Sequence, residues 1–390
     1  MDAGGGRSLQ LDGVRPLVEE PILLIAAGAA AVVVFVVVWL AVRRVGQSPG
    51  GRLQAVLSRY DEITVLMHPN PDPDAMSAAL AVDLLAESVG TDTTLQYPGQ
   101  IRHQENRAFE TVLDMDIERV ETSAELAGDT VVLVDHNEPR GFSGAEAIDP
   151  VAVVDHHPGG GTGTEFTDVR RNTGACASIF AEYFRELGWD PVAPGAVDTV
   201  ENGIDVLEPR VSTGLVYGIQ SDTKSLTKGC STAEFEAAEY LYPGVDQDRL
   251  DRIANPQVDA EVLDVKAAAI TEREVRNAFA VSDVGEVSNV DAIPQAADEL
   301  LRLEGITAVV VLGDREGTIH LSGRSRDDRV HMGKILRAVV EEIPMAGAGG
   351  HARMGGGQVS VEHMEGLGPG DGTTREQLRE GLFEAMSGDI

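Results

Sequence analysis

Four short segments carry residue types suited to holding divalent cations: His68-Pro69-Asn70-Pro71-Asp72-Pro73-Asp74, Asp135-His136-Asn137, Asp155-His156-His157 and Ser221-Asp222-Thr223. Two cations held side by side need carboxylates to offset charge, imidazoles to complete the shells and one carboxylate between them as a bridge. The set supplies all three, so metal-assisted hydrolysis of phosphoesters is the chemistry it could perform. Asp135 follows an apolar run with no basic neighbour in sequence, which makes it the candidate bridge. Pro71 and Pro73 stiffen the turn that bears His68, Asp72 and Asp74. Alone, that turn reads equally as a helix cap, and the histidine pair alone is weak; the joint occurrence carries the argument.

Apolar, β-rich runs at 63–67, 131–134 and 151–154 lead directly into the first three segments, and helical patterns at 75–88, 175–187, 211–220 and 232–241 alternate with them or follow. Such alternation predicts an α/β fold whose parallel sheet is covered on both faces. Ligands of these sheets bind at the carboxyl ends of the strands, where the acids fall. A mainly helical stretch at 246–277 leads to a second α/β unit with paired strands at 308–312 and 318–322, a helix at 332–343 and a glycine-rich turn at 347–357. Lys224 and Lys228, just after Asp222, suit either a substrate anion or a solvated loop.

The length, 390 residues, suits two or three domains. The formal charge of −33 sets 31 Lys and Arg against 64 Asp and Glu. It argues against attraction to duplex nucleic acid or anionic lipid and suits a halophilic proteome. With only Cys176 and Cys230, no disulfide framework is implied. The uncharged stretch 22–42 reads as one transmembrane helix, close to the ~20 residues a span needs. A tail at 1–21 would lie outside and, with Arg43, Arg44 and Arg52 following, a linker at 43–52 and everything beyond would be cytoplasmic at the cell membrane.

The four segments resemble the motifs of the DHH phosphoesterase family over about 51–259, and Ser322-Gly323-Arg324-Ser325 with Gly349-Gly350-His351-Ala352-Arg353-Met354-Gly355-Gly356 resemble its DHH-associated C-terminal domain. The resemblance implies a catalytic domain at 53–259, a connector at 260–279, a substrate domain at 280–390 and a cleft between them. It implies two manganese ions, with magnesium or cobalt as alternatives: one on His68, Asp72 and Asp135, the other on Asp74, Asp135, His156 and Asp222. Asp155 would orient an imidazole and His157 would reach the phosphate. Arg324, Ser325, Gly349, Gly350, His351 and Arg353 would hold substrate. Gly355 stands where Ala is more usual, which is expected to loosen the turn. The implied partner is a small nucleotide, cyclic or linear, or a very short oligonucleotide; a homodimer is compatible. Alternatives are a manganese inorganic pyrophosphatase, which shares the Asp135-His136-Asn137-Glu138 run, and a non-catalytic membrane nucleotide receptor.

Overall fold

The strand residues Val65, Leu66, Val131 to Val134 and Ala152 to Val154 are almost wholly removed from solvent, as strands covered on both faces must be. The structure is a computed structural model describing residues 48–101, 103–196, 206–327, 329–366 and 372–388. The chain divides into two units, Met1–Gly99 with Asp116–Gln247 and Gln100–Met115 with Asp248–Ile390.

In the first unit, α1 (Pro49–Leu57), β1 (Glu62–Leu66), α2 (Pro73–Glu87) and β2 (Asp92–Pro98) come first. Helix α3 (Gln104–Val112) belongs to the second unit; β3 (Ile117–Val120), β4 (Val131–Val134), β5 (Ala152–Asp155) and β6 (Phe166–Val169) return to the first. These six strands form one sheet in the order β3-β2-β1-β4-β5-β6, parallel throughout. Between β1 and β4 the winding reverses, which opens a crevice at the carboxyl edge. His68 and Asp135, just beyond the ends of these two strands, flank it.

Helices α4 (Cys176–Leu187), α5 (Pro209–Asp222) and α6 (Thr232–Leu241) follow, with the two-residue strands β7 (Asp190–Pro191) and β8 (Val206–Leu207). α2 packs on both α4 and α5. Gly218 permits the α2–α5 approach, because a Cβ there would lie 2.5 Å from Ser77 Oγ and 3.2 Å from Asp74 Cα. That contact carries Asp222, at the end of α5, toward Asp74.

The second unit takes α7 (Gln247–Ala254), α8 (Ala260–Thr271), β9 (Glu274–Arg276), β10 (Phe279–Glu286), α9 (Ala292–Leu300), β11 (Ala308–Arg315) and β12 (Thr318–Ser325). It continues with α10 (Met332–Val340), β13 (Gly347–Gly350), β14 (Met354–Ser360), α11 (Val361–Met364) and α12 (Arg375–Ser387). The sheet order is β13-β14-β12-β11-β10-β9, with only β10 and β11 parallel. Leu336, Leu382 and Phe383 pack with Val310 and Ile319 on one face. Val262, Ile293 and Leu300 pack with Val309 and Val311 on the other.

Three expectations change. The joint at 43–52 is in its described part the start of a helix: Ser48 Oγ accepts from Gly51 N at 3.2 Å, Pro49 occupies the first turn, and Gly50 is buried against Tyr183. The stretch 260–279 is no mere connector, since Val262, Val265 and Ala269 of α8 belong to the second unit's core. The membrane localisation is corrected too: no helix among the described residues is long and apolar enough to cross a membrane. The tail 1–21 and stretch 22–42 that suggested it lie outside the described residues.

Candidate metal centre

At the carboxyl edge of the first sheet, each segment delivers its side chain by a separate local device. Asp72 caps α2, its Oδ1 accepting from the amides of Asp74 (3.2 Å) and Ala75 (3.1 Å). Asp74, with no solvent exposure, accepts from the first two amides of α4: Cys176 N reaches Oδ2 at 2.6 Å and Ala177 N reaches Oδ1 at 2.8 Å. Asp135 leaves β4 in the left-handed region at φ 59°, while its amide donates to Val154 O of β5 at 2.9 Å. That turn is costly for a residue with a Cβ, and such strain collects at functional sites.

The imidazoles are aimed by backbone carbonyls. His68 Nδ1 lies 3.0 Å from Pro69 O and His156 Nδ1 lies 3.1 Å from Thr173 O. A carbonyl only accepts, so Nδ1 carries the proton in each ring and, in the neutral ring, Nε2 turns a lone pair inward.

Asp135 stands between them. His68 Nε2 is 3.4 Å from Asp135 Oδ2 and 3.6 Å from Asp72 Oδ1. His156 Nε2 is 3.2 Å from Asp135 Oδ1, 3.5 Å from Asp222 Oδ2 and 3.7 Å from Asp74 Oδ2. Three groups bring their donor atoms within 4.8 Å of one another: His68 with Asp72 and Asp135, Asp74 with His156 and Asp222, and Asp135 with His156 and His157. Both carboxylate oxygens of Asp135, and His156 Nε2, are buried without a hydrogen bond of proper geometry. Buried polar atoms are nearly always satisfied, so this donor set fits cations.

The electrostatics agree. Burial, then Asp135 and Asp222, push the Asp74 carboxyl well above its usual range. Burial, with Asp72 and Asp135, pushes Asp222 up to about 7. Burial pulls the imidazoles down, but Asp135 and Asp72 outweigh it and raise His68 to about 11, while Asp135 and Asp74 raise His156 to about 10. Protonated imidazoles in turn overcome the burial of Asp135 and hold it below the carboxylate range. Protons thus take the place that positive charge must fill.

His157 is more open, its side chain 43% exposed, with Nδ1 3.0 Å from Asp155 Oδ1. Asp155 is fixed from the other side by Asn137 Nδ2 at 2.6 Å. Sequence reading gave Asn137 no role; its place two residues after Asp135 was the available signal. His136 is buried beside the centre, bonded to Val134 O at 2.9 Å, and burial lowers it to about 4. Lys224, Ser225 and Leu226 are all left-handed at φ 48°, 57° and 62°, with both Lys224 and Lys228 exposed.

The residues proposed for substrate lie in the second unit. Arg324 of β12 is engaged: Nε meets Asp298 Oδ1 at 2.6 Å and an Nη meets Ser322 Oγ at 3.1 Å. Ser325 is buried and bonded to the 327 backbone in both directions. The expected turn at 347–357 is corrected to a hairpin, in which Gly349 and Gly350 lie in β13 and only His351 to Arg353 form the bend. Gly355 lies in β14 rather than in a turn, and a Cβ there would already be tight, 3.1 Å from Gly349 O and Leu336 Cδ1. His351 is exposed, its amide bonded to Met354 O at 2.8 Å.

Comparison with known proteins gives this geometry a lineage. Residues 62–219 match the DHH family, N-terminal domain, and residues 276–367 match the DHHA1 domain. Uncharacterized protein MJ1633 of Methanocaldococcus jannaschii is 33% identical over 329 residues, 84% of this chain and 63% of that protein. Cyclic-di-AMP phosphodiesterase GdpP of Geobacillus thermodenitrificans is 26% identical over 358 residues, 86% of this chain and 49% of that protein. A probable manganese-dependent inorganic pyrophosphatase of Streptococcus pyogenes is 27% identical over 274 residues, 64% of this chain and 81% of that protein. The chain thus spans between about half and two thirds of the length of the first two relatives. The chain thus carries, in this order, a DHH family N-terminal domain and a DHHA1 domain.

Proposed function

We propose that this protein hydrolyses phosphodiester bonds of small nucleotides, cyclic or linear dinucleotides and very short oligonucleotides, at a centre holding two manganese ions. The observation that carries the reading is Asp135, whose two buried and unbonded oxygens face His68 on one side and His156 on the other. His68, Asp72 and Asp135 would hold one ion; Asp74, Asp135, His156 and Asp222 would hold the second. When bound, the ions supply Lewis acidity toward the phosphoryl group.

The chain's own residues do the rest. Pro69 O and Thr173 O fix the tautomers of His68 and His156, so no reorganisation is needed when a substrate arrives. Asp155 holds His157 by Nδ1 and raises its basicity, so that the protonated ring donates from Nε2 to a phosphate oxygen. Buried Asp74, tied to two amides, keeps its place beside His156 Nε2. The nucleotide class is supported by the DHHA1 match and by the likeness to the cyclic-di-AMP phosphodiesterase.

The test is the full chain with manganese in high potassium chloride, offered cyclic di-AMP, linear di-adenylate, short RNA and pyrophosphate side by side. Turnover of at least one of the first three is expected. Turnover of pyrophosphate alone would replace this reading with a pyrophosphatase, and tight nucleotide binding without turnover would replace it with a receptor.

A further inference from the structure

The second unit holds a cavity of about 660 Å³ on the open side of its sheet. Register places His320, Gln358 and Gly347 in one cross-strand row and Ser322, Gly356 and Gly349 in the next. Strand residues two apart share a face, so both rows look into the cavity. Ile293 and Pro294 of α9 form an apolar wall, and Met345, 85% exposed at φ 60°, stands at the rim.

The glycines here divide by face. Toward α10 they are required by packing: a Cβ on Gly355 would lie 3.1 Å from Leu336 Cδ1 and from the Met332 carbonyl carbon, and a Cβ on Gly333 of α10 itself would come within 2.2 Å of Gly350 O. On the cavity face nothing requires them. A Cβ on Gly347 would meet no atom within 4 Å, one on Gly356 only Leu321 O at 3.6 Å, and one on Gly349 only the tip of Arg337 at 3.6 Å. None of these three has a positive φ. Their lack of side chains leaves a flat floor of peptide planes.

The groups available above that floor are neutral apart from the Asp291 carboxylate, which lines the cavity and repels an anion. Arg324 is committed to Asp298 and Ser322. Gln358 and His320 have no side-chain hydrogen bond among the described residues, and burial with nearby Arg315 holds His320 below its ordinary value. A planar heterocycle suits the site better than a phosphate does. A carboxamide offers the paired donor and acceptor that match the amino and ring-nitrogen edge of adenine.

Resting on the dinucleotide reading above, we infer that this cavity is a nucleobase site, in which an adenine base lies on the Gly349–Gly356 floor with Gln358 and His320 bonded to its edge. The test is calorimetric titration of the full chain with AMP, GMP, CMP, UMP and ribose 5-phosphate in excess EDTA. AMP is expected to bind tightest, and Gln358→Ala to weaken it about tenfold while levelling the preference among bases. Gly356→Val is expected to remove AMP binding with the melting temperature unchanged. AMP binding no tighter than ribose 5-phosphate, or an unaltered base preference in Gln358→Ala, would overturn the inference. Turnover does not enter this readout, so failure of the hydrolase reading shows separately, in wild-type assays with manganese.

Discussion

Asp74 in the first unit has no solvent exposure and is held by two backbone amides, whereas Gln358 in the second is exposed and its side chain makes no hydrogen bond among the described residues. The two regions are built by opposite means. The metal centre crowds charged side chains together and fixes each by a carbonyl, an amide or a neighbouring carboxamide. The groove removes side chains until the backbone itself is the surface. Chemistry on a phosphoryl group needs donors fixed within a fraction of an ångström, while accepting a flat ring needs area and little else.

The contrast breaks most severely at Asp135. Asp135→Ala is expected to lower turnover by about three orders of magnitude or more, since charge stabilisation by the pair of ions is worth several kcal/mol. Calorimetry should show the manganese stoichiometry falling below two while circular dichroism stays native; retained activity would remove Asp135 from the bridge. Chelation comes next. EDTA should abolish turnover and lower the melting temperature, because an ion at a hundred times its Kd adds about 2.7 kcal/mol of stability. Adding manganese back should restore both.

Acidity provides a graded test. Without ions, Asp222 is held at about 7, His156 at about 10 and His68 at about 11, so protons occupy the places cations would take. Binding must expel them, and apparent manganese affinity should fall as pH falls. Titrations in buffers of different ionisation enthalpy should register the released protons; none released would contradict the ligand set. Asn137→Ala frees Asp155 and with it His157, and should cost ~10- to 100-fold in kcat, the range for partners that orient a functional group. The smallest effect belongs to the second unit. Asp298→Ala should change stability by less than ~1 kcal/mol, since the Asp298 partner of Arg324 is solvent-exposed, and should leave base preference in place.

The centre was more legible in the sequence than the groove. His68, Asp72, Asp74, Asp135, His156 and Asp222 declare themselves by residue type and by following apolar runs, and the structure does gather them. What could not be read were long-range partners: the α4 amides on Asp74, the Thr173 carbonyl on His156, and the left-handed turn at Asp135. Glycines 347–357 suggested a turn because glycine favours turns. They form a hairpin instead, paired onto β12, and glycine is needed at Gly355 because α10 approaches that face too closely for a Cβ. The Ser48–Gly51 stretch suggested a joint on composition, and burial against Tyr183 made it a helix start.

Asp72 and Asp74 each anchor the beginning of a helix in addition to their proposed role as cation ligands. Asparagine at 72 would preserve the acceptor that starts α2, whereas at 74 it would turn an N–H toward a backbone N–H and unseat α4. A descendant drifting away from catalysis can therefore discard the first of these acids cheaply, and must keep the second to stay folded.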